Sequence, residues 1–286
     1  MEKDYHFTPA LYVVATPIGN LGDITLRALA LLHRADCVAC EDTRHSRRLL
    51  KLGLDKKPEL LSLHAHNENE AGLQVIRRVT SGKCVALISD AGTPGICDPG
   101  ARVVAATIAA GLPVIPLPGA CAAITAWSVS GWLDDEFTFV GFLPSSSKAR
   151  RQALVRWAEL PTSLIFYEAP HRIVATINDM SQLLTVPPAL PRTLIIAREI
   201  SKVFEDITRL PLNQAPAWIE SDLNRQRGEF VLLLSAAKPD GQLSSNAKKT
   251  IDILLGELPL RQAVQLAAKI CGESKNQLYK YALQLK

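Results

Sequence analysis

The sequence predicts an α/β protein with two α/β domains, at 1–120 and 121–238, and a small helical domain at 239–286. Three observations support this prediction. Short apolar runs alternate with amphipathic helical patterns through the first domain, which is typical of a parallel sheet with helices on both faces. A second set of strands follows Gly131, and two adjacent strands around 204–210 favour some antiparallel pairing. The segment 238–246 has the composition of a linker, and only helical patterns follow it.

The strands predicted in the first domain lie at 11–15, 37–41, 59–63, 84–90 and 113–117, with helices near 25–34, 43–52, 67–80 and 100–110. Asp98 precedes Pro99, and an acid before a proline is typical of an N-cap followed by the first helical residue. We therefore expect Asp98 to cap the last of these helices, in preference to the alternative that it contacts a ligand. Asn67, followed by Glu70, has a similar cap-like pattern.

The strands predicted in the second domain lie at 137–142, 163–167, 193–198, 205–210 and 230–235, with helices near 148–158 and 171–184. In the tail, residues 260–270 form an amphipathic pattern, Gly272 ends it, and Ser274 is an expected N-cap for a second helix carrying Lys275, Tyr279 and Lys280. This arrangement resembles a helix-turn-helix. Such a unit often binds nucleic acid, but it equally suits a small packing or dimer-stabilising domain.

Composition excludes several classes of protein. The chain has 286 residues, 48% of them hydrophobic, and a net charge of only +4, so a polyanionic partner would have to be bound by local basic clusters. No signal peptide or long apolar run is found, which predicts a soluble, cytoplasmic protein without a membrane partner. The six cysteines lack a zinc-site pattern, no metal is expected, and Cys37 and Cys40 lie in an apolar strand as small hydrophobes. The glycine fingerprints of NAD-binding proteins and P-loop NTPases are also missing.

Polar loops follow every predicted strand of the first domain, at 16–20, 41–44, 64–68, 89–95 and 116–123. The carboxyl ends of parallel strands share one edge of the sheet, so we expect these loops to line one ligand crevice. Asp90 ends a buried strand and must find hydrogen bonds, from loop amides or from a ligand. The adjacent acids Glu41 and Asp42, followed by Arg44, favour a functional role over the alternative of a helix cap with a salt bridge.

A series of motifs along the chain resembles the tetrapyrrole-methylase-like (class III) methyltransferases, and in particular the members that methylate ribosomal RNA. In chain order these are TPIGNLGDITLRAL, ACEDTR, HNE, ISDAGTPGICDPG, PLPGACAAITAWSVSG, FVGFLP, FYEAPHR and GEFVLLL, which together cover nearly the whole sequence. The resemblance implies the class III fold, with S-adenosylmethionine in a cleft between the two α/β domains. It also implies a homodimer that methylates the 2′-hydroxyl of a cytidine in 16S ribosomal RNA, within the 30S subunit.

The resemblance further places the cofactor against loops of both domains. Small residues in such loops let the backbone approach a ligand closely. The expected cofactor-binding residues are Pro17, Gly19, Asp90, Ala91, Gly92, Pro94, Gly119, Ala122, Tyr167, Glu229 and Phe230.

A ribose hydroxyl is a poor nucleophile at neutral pH, so a group that accepts or orients its proton is expected. The candidates are Glu41, Asp42, His66 and Glu68, with Asp23 as a further one, and the sequence does not choose among them. Arg44 is the candidate for holding a flanking phosphate, because a guanidinium makes two-pronged contacts to phosphate oxygens.

Two basic clusters indicate RNA. Arg44, Arg47, Arg48 and Lys51 follow helical spacing, and the stretch 44–57 has six Lys or Arg residues against one Asp. Lys148, Arg150 and Arg151 form the second cluster. The alternative for the first cluster is a solvated helix face. A tetrapyrrole-type small-molecule methyltransferase leaves the basic helix and tail unexplained, and a non-catalytic RNA-binding protein leaves the convergent loops unexplained.

Overall fold

The computed structural model describes residues 5–50, 58–133, 136–158, 160–184, 192–236, 243 and 245–285, with the side chains of His45, Arg47, Arg48, Leu50, Ala158 and Ser245 excepted. These residues form two five-stranded sheets with helices packed on them and a cluster of helices at the C-terminal end. Within this part of the chain, no helix is both long and apolar enough to cross a membrane.

The first sheet is entirely parallel. Its strands are β1 (Leu11–Val14), β2 (Cys37–Cys40), β3 (Glu59–Ser62), β4 (Val85–Ile88) and β5 (Val114–Leu117), in the order β3-β2-β4-β1-β5. Its helices are α1 (Leu26–Arg34), α2 (Thr43–Leu50), α3 (Glu68–Thr80) and α4 (Ala101–Ala109), and α5 (Ala122–Ser128) follows β5. The predicted parallel sheet is therefore confirmed, with β1 and β4 at its centre.

Successive residues along these strands point to opposite faces of the sheet, and helices cover both faces. Tyr12 and Val38 belong to the buried cluster that packs with α1, whereas Leu11 and Ala39 belong to the cluster that packs with α3 and α4. Cys37 and Cys40 are buried free thiols, and burial raises the pKa of both, that of Cys37 to about 11. A thiol with a raised pKa is unreactive, which agrees with their prediction as small hydrophobes.

The second sheet is mixed. Its strands are β6 (Phe137–Phe142), β7 (Ser163–Glu168), β8 (Thr193–Arg198), β9 (Asp206–Pro211) and β10 (Phe230–Leu234), in the order β6-β7-β10-β8-β9. Only the β6–β7 pairing is parallel, and β8 and β9 form the antiparallel pair that the sequence predicted. The helices are α6 (Ser147–Ala158), α7 (Ile173–Leu184) and α8 (Ala215–Glu220).

The C-terminal helices α9 (Ser245–Glu257), α10 (Leu260–Cys271) and α11 (Lys275–Gln284) share a hydrophobic cluster of their own, which includes Ile251, Ala263 and Leu278. Gly272 ends α10 in the left-handed conformation, with φ of 69°, and Ser274 occupies the N-cap position of α11, both as predicted. Most of the predicted linker at 238–246 lies outside the described residues.

Two helices were not predicted. The α5 helix starts directly after a loop rich in proline and glycine, and its N-cap residue, Cys121, makes no side-chain hydrogen bond to the helix. The α8 helix contains Pro216, a residue that usually signals a break, but the proline lies in its first turn, where its missing N–H has no helical partner to lose.

Candidate active site

Two adjoining cavities lie where the two sheets meet, with volumes of about 310 Å³ and 480 Å³. Both are lined by Ile18, Ala91, Lys202 and Glu229, so they form two lobes of one cleft. The smaller one, called the inter-sheet cavity below, has walls from the loops that follow strands of the first sheet and from the strands of the second sheet. The larger one, called the loop cavity, is formed mainly by the loops after β1 and β4.

The strand order places the cleft at the carboxyl ends of β1 and β4. The loops after these central strands are joined by two backbone hydrogen bonds, from Thr16 N to Gly92 O at 2.8 Å and from Gly92 N to Thr16 O at 3.1 Å. Gly92 has a φ of 79°, which favours glycine, and a Cβ there would lie 3.4 Å from the Ile18 side chain. The glycine is therefore both a turn residue and part of the cavity wall.

Most of the expected cofactor-binding residues line one of the two cavities. Pro17, Gly19 and Asp90 line the loop cavity; Gly92, Ala122, Tyr167 and Phe230 line the inter-sheet cavity; Ala91 and Glu229 line both. Pro94 and Gly119 line neither. Pro94 is buried, and Gly119 packs against the end of β1, where an added Cβ would lie only 2.7 Å from the Ala15 Cβ. This contact with Ala15 leaves no room for a side chain at position 119, so the glycine is explained by packing and not by a ligand.

Tyr167 joins the second sheet to α5. Its hydroxyl accepts a hydrogen bond from the Ala123 N–H at 3.2 Å, in the first turn of α5, and burial raises the pKa of the phenol. The ring packs against Phe139 and Phe142 at centroid distances of 5.1 Å and 5.7 Å. This tyrosine therefore supports one wall of the inter-sheet cavity and fixes the start of α5.

Lys202 stands at the junction of the two cavities and was not predicted. Its Nζ donates to Glu199 Oε1 at 2.7 Å and to Glu229 Oε2 at 2.8 Å. Burial lowers the pKa of the ammonium, but the hydrogen bonds to both glutamates outweigh it and the net pKa is raised. The adjacent Ser201 hydroxyl bonds to the Asp23 carboxylate, so this turn after β8 ties the second sheet to the loop after β1.

Three carboxylates from two loops interact electrostatically with one another, and two of them line the cleft. Glu41 follows β2, Asp90 follows β4, and Asp98 lies further along the same loop, where it lines the inter-sheet cavity. Burial, reinforced by the Glu41 charge, raises the pKa of Asp98 from 3.8 to about 6, although a hydrogen bond with Ser89 opposes the rise. Burial and the Asp90 charge raise the pKa of Glu41 while His64 lowers it. One of the hydrogen bonds expected for Asp90 comes from the Asp42 N–H, at 3.2 Å.

The prediction that Asp98 caps α4 is wrong. The helix begins at Ala101, and its N-cap residue is Gly100, whose φ is 129°. The Gly100 N–H donates to Glu68 Oε1 at 2.6 Å, and Arg102 pairs with the other oxygen of that carboxylate at 3.6 Å. Glu68 therefore caps α4 from another part of the chain.

Glu68, one of the candidates for the proton acceptor, is thus held by structural contacts. His66 is exposed at the edge of the sheet, because β3 is the outermost strand, and its ring faces His64 at 6.2 Å. Neither residue lines either cavity. Asn67 occupies the N-cap position of α3, but its side chain bonds back to His64 N and Ser62 O instead of capping the helix.

Asp42 and Arg44 show the cap and salt bridge that the sequence left as the alternative. Asp42 Oδ1 accepts from the Arg44 N–H at 2.7 Å, as an N-cap residue of α2 does, and its other oxygen lies 3.3 Å from the Arg44 guanidinium. The Arg44 side chain is 88% exposed. Neither residue lines either cavity, and Glu41 does not line them either, although its carboxylate interacts electrostatically with Asp90.

The second basic cluster is mostly structural, which corrects the prediction for Arg150. Its side chain is 5% exposed and donates to Asp179 Oδ2 at 2.8 Å, while Arg151 donates to the other oxygen at 2.7 Å. Both arginines thereby fix α6 on α7, and Lys148 remains exposed. The side chains of Arg47 and Arg48, and all of Lys51, lie outside the described residues.

The fold and the cleft define a class of protein: two α/β units, one with a parallel and one with a mixed sheet, with a cleft between them. Family comparison specifies the class further. Residues 10–216 match the model of the tetrapyrrole (corrin/porphyrin) methylases, and residues 242–286 match a domain described as the RsmI C-terminal HTH domain. The chain belongs to the tetrapyrrole methylase family, as its motifs indicated.

Curated relatives match almost the whole chain. Proteins named ribosomal RNA small subunit methyltransferase I are 48% identical in Pseudomonas aeruginosa and 46% identical in Vibrio cholerae, each over 96% of this chain and 96% and 95% of their own lengths. Among solved structures, the methyltransferase CobJ superposes with a TM-score of 0.60 at 17% identity, covering 80% of this chain and 94% of CobJ. The uroporphyrin-III C-methyltransferase of Thermus thermophilus complexed with S-adenosylhomocysteine superposes with a TM-score of 0.53 at 20% identity. The match covers 79% of this chain and 97% of that enzyme.

Proposed function

We propose that this protein is an S-adenosylmethionine-dependent methyltransferase that methylates the 2′-hydroxyl of a cytidine in 16S ribosomal RNA. The observation that carries the proposal is the match to curated relatives named for methylation of small-subunit ribosomal RNA, at 45–48% identity over 96% of the chain in three of them. That match includes the C-terminal helices, which the tetrapyrrole methylase model does not cover.

The inter-sheet cavity suits the cofactor. At about 310 Å³ it is in the range of small-molecule pockets, and much of its wall is small or apolar, including Ala91, Gly92, Ala122 and Ala197. Backbone that carries no large side chains allows a ligand to approach main-chain amides and carbonyls. When bound, S-adenosylmethionine supplies a methyl group on a positively charged sulfur. Tyr167 and Phe230 would hold it on the side of the second sheet, and Gly92 on the side of the first.

The loop cavity, lined by Pro17, Gly19 and Asp90, is the proposed place for the target nucleoside, although the sequence assigned these three residues to the cofactor. It adjoins the cofactor cavity at Ile18, Ala91, Lys202 and Glu229, so a ligand there is next to a ligand in the first lobe. Holding two reactants side by side in a fixed orientation supplies much of the rate enhancement of such a transfer. Arg44 is exposed on α2, the helix that also contributes Ser46 and Leu49 to the loop cavity, and it would hold a flanking phosphate of the RNA.

The proposed partner is 16S ribosomal RNA within the 30S subunit, and the enzyme is proposed to act as a cytoplasmic homodimer. The exposed residues Lys275, Tyr279 and Lys280 on α11 support contact of the tail with nucleic acid, since lysines neutralise phosphates and an aromatic ring stacks on bases. Sedimentation of the purified protein tests the dimer directly.

A transfer assay with tritiated S-adenosylmethionine tests the function. The acceptors are 30S subunits, free 16S RNA and a porphyrin precursor, and digestion of the labelled RNA to nucleosides identifies the product. We expect label in 2′-O-methylcytidine. Label in the porphyrin precursor alone would identify a small-molecule methyltransferase, and RNA binding without transfer would identify a non-catalytic binder.

The first basic cluster (Arg44, Arg47, Arg48 and Lys51), called the basic stripe here, provides a separate test of RNA binding. The double variant Arg47→Glu/Arg48→Glu should weaken RNA binding and flatten its dependence on salt, because fewer counterions are released, while cofactor affinity stays unchanged. The matched control is Arg77→Glu on an exposed position of α3. An unchanged salt slope for the double variant would mean that the stripe is a solvated helix face.

A further inference from the structure

The loop from Ser89 to Gly100 has a geometry that the helix it precedes does not require. Cys97 adopts a φ of 64°, a left-handed conformation that is uncommon for a residue with a side chain. Room for the Cys97 thiol comes from β6, where Gly141 lies at a bulge and an added Cβ would be 2.7 Å from the Cys97 Sγ. Strained backbone of this kind persists where surrounding structure maintains it, and it is concentrated at functional sites.

The strained turn places Asp98 in the wall of the inter-sheet cavity instead of at the N-terminus of α4. A cap at Asp98 is unnecessary, because Glu68 already binds the Gly100 N–H. Asp98 is therefore a partly buried carboxylate without a role in starting a helix. It lines the inter-sheet cavity, and its hydrogen bond with Ser89, which lines the loop cavity, places it where the cofactor lobe adjoins the lobe proposed for the nucleoside.

The groups that face Asp98 come from several elements. Glu41 approaches from the end of β2, Ser89 and Asp90 from the end of β4, and the Cys97 thiol from its own loop. Two of these groups, Glu41 and Asp90, are carboxylates, so the surroundings disfavour a third negative charge on Asp98 and favour the uptake of a proton. Of the other candidate acids, Asp42 and Glu68 are held by helix caps.

We propose that Asp98 accepts the proton of the ribose 2′-hydroxyl during methyl transfer, an inference that rests on the proposed function. In this step the hydroxyl oxygen forms a bond to the methyl carbon, and the bond from that carbon to the sulfonium sulfur breaks with its electron pair going to sulfur. The hydroxyl proton goes to the Asp98 carboxylate, and bulk water receives it after product release. No oxidant, metal or covalent intermediate is needed.

The raised pKa of Asp98, about 6, supports this role. A general base is most effective when its pKa lies close to the working pH, because it is then both ionised and sufficiently basic. An aspartate with an ordinary pKa would be a weaker acceptor for the same proton.

The test compares Asp98→Asn with Asp98→Glu and with the matched control Asp206→Asn on β9, the outer strand of the second sheet. Single-turnover methylation of 30S subunits should fall about 10²–10⁴-fold in Asp98→Asn, recover in part in Asp98→Glu and stay at the wild-type level in Asp206→Asn. Calorimetry should give an affinity for S-adenosylmethionine within about threefold of wild type in every variant. A wild-type rate in Asp98→Asn, or loss of cofactor binding instead of transfer, would overturn the proposal.

A direct titration provides a second readout that does not depend on activity. In protein labelled with ¹³C at the aspartate carboxyl groups, the NMR signal missing from Asp98→Asn should titrate near pH 6, and a midpoint near the ordinary value of about 4 would overturn the proposal. If wild-type enzyme transfers no methyl group to RNA at all, the proposed function fails first and the role of Asp98 toward ribose fails with it.

Discussion

Asp42 and Asp98 both precede a helix of the first sheet, yet the two carboxylates have opposite surroundings. Asp42 binds the first turn of α2 and pairs with an exposed arginine, so it serves the helix that follows it. Asp98 precedes α4 by a longer loop, lines the inter-sheet cavity and leaves the cap to Glu68. An acid just before a helix in the sequence can therefore have either role. Asp98 lines the cavity because a distant residue, Glu68, binds the start of α4 in its place.

The largest expected effect on stability comes from removing the distant cap. Glu68→Ala should lower the free energy of unfolding by about 2 kcal/mol, because a hydrogen bond of 2.6 Å between a carboxylate and the Gly100 N–H is lost at a helix N-terminus. Denaturant unfolding measures the loss. The rate of methyl transfer, scaled to folded protein, should remain that of the wild type, since the side chain lines neither cavity. A lost rate with unchanged stability would return Glu68 to the catalytic candidates.

The second effect has a defined dependence on pH. The folded-state pKa of Asp98 is raised, so its contribution to stability is complete below the unfolded value of 3.8 and is lost as pH rises through about 6. Asp98→Asn should therefore be more stable than wild type at pH 8, by on the order of 1.5 kcal/mol after allowance for solvent screening, and equal to it near pH 4. Thermal unfolding at the two pH values measures this difference. A variant less stable than wild type at pH 8 would mean that Asp98 has a structural role after all.

Much of the fold was predictable because its signals are local. Apolar runs located the strands of both sheets, and the short spacing between β8 and β9 gave their antiparallel pairing. Family motifs identified Tyr167 and Gly92, both of which line the inter-sheet cavity. The parts that were missed depend on contacts between distant residues. Glu68 and Gly100 are separated by 32 positions, and the burial of Arg150 depends on Asp179, 29 positions away.

The surroundings of the basic residues also depend on contacts between distant parts of the chain. A cluster of Lys and Arg in the sequence has the same composition whether it faces solvent or pairs with an acid of a neighbouring helix. Arg150 is buried against α7, whereas Lys148, two positions earlier, is exposed. Lys202 was missed for the opposite reason: an isolated lysine in a short turn carries no pattern, and its position at the junction of two cavities arises only from the packing of the turn after β8.

The smallest expected effect is at Asp42, where a local cap is exposed to solvent. Asp42→Ala should cost about 1 kcal/mol of stability, because the Arg44 N–H loses its acceptor, and Asp42→Ser should restore most of that loss since serine also caps helices. The salt bridge to Arg44 adds little, because the arginine is 88% exposed and surface pairs contribute less than about 1 kcal/mol. Denaturant unfolding of both variants, with single-turnover methylation alongside, checks the assignment. If Asp42→Ser regains stability but not the rate of transfer, Asp42 takes part in catalysis, and the contrast with Asp98 is no longer one between a structural and a catalytic acid.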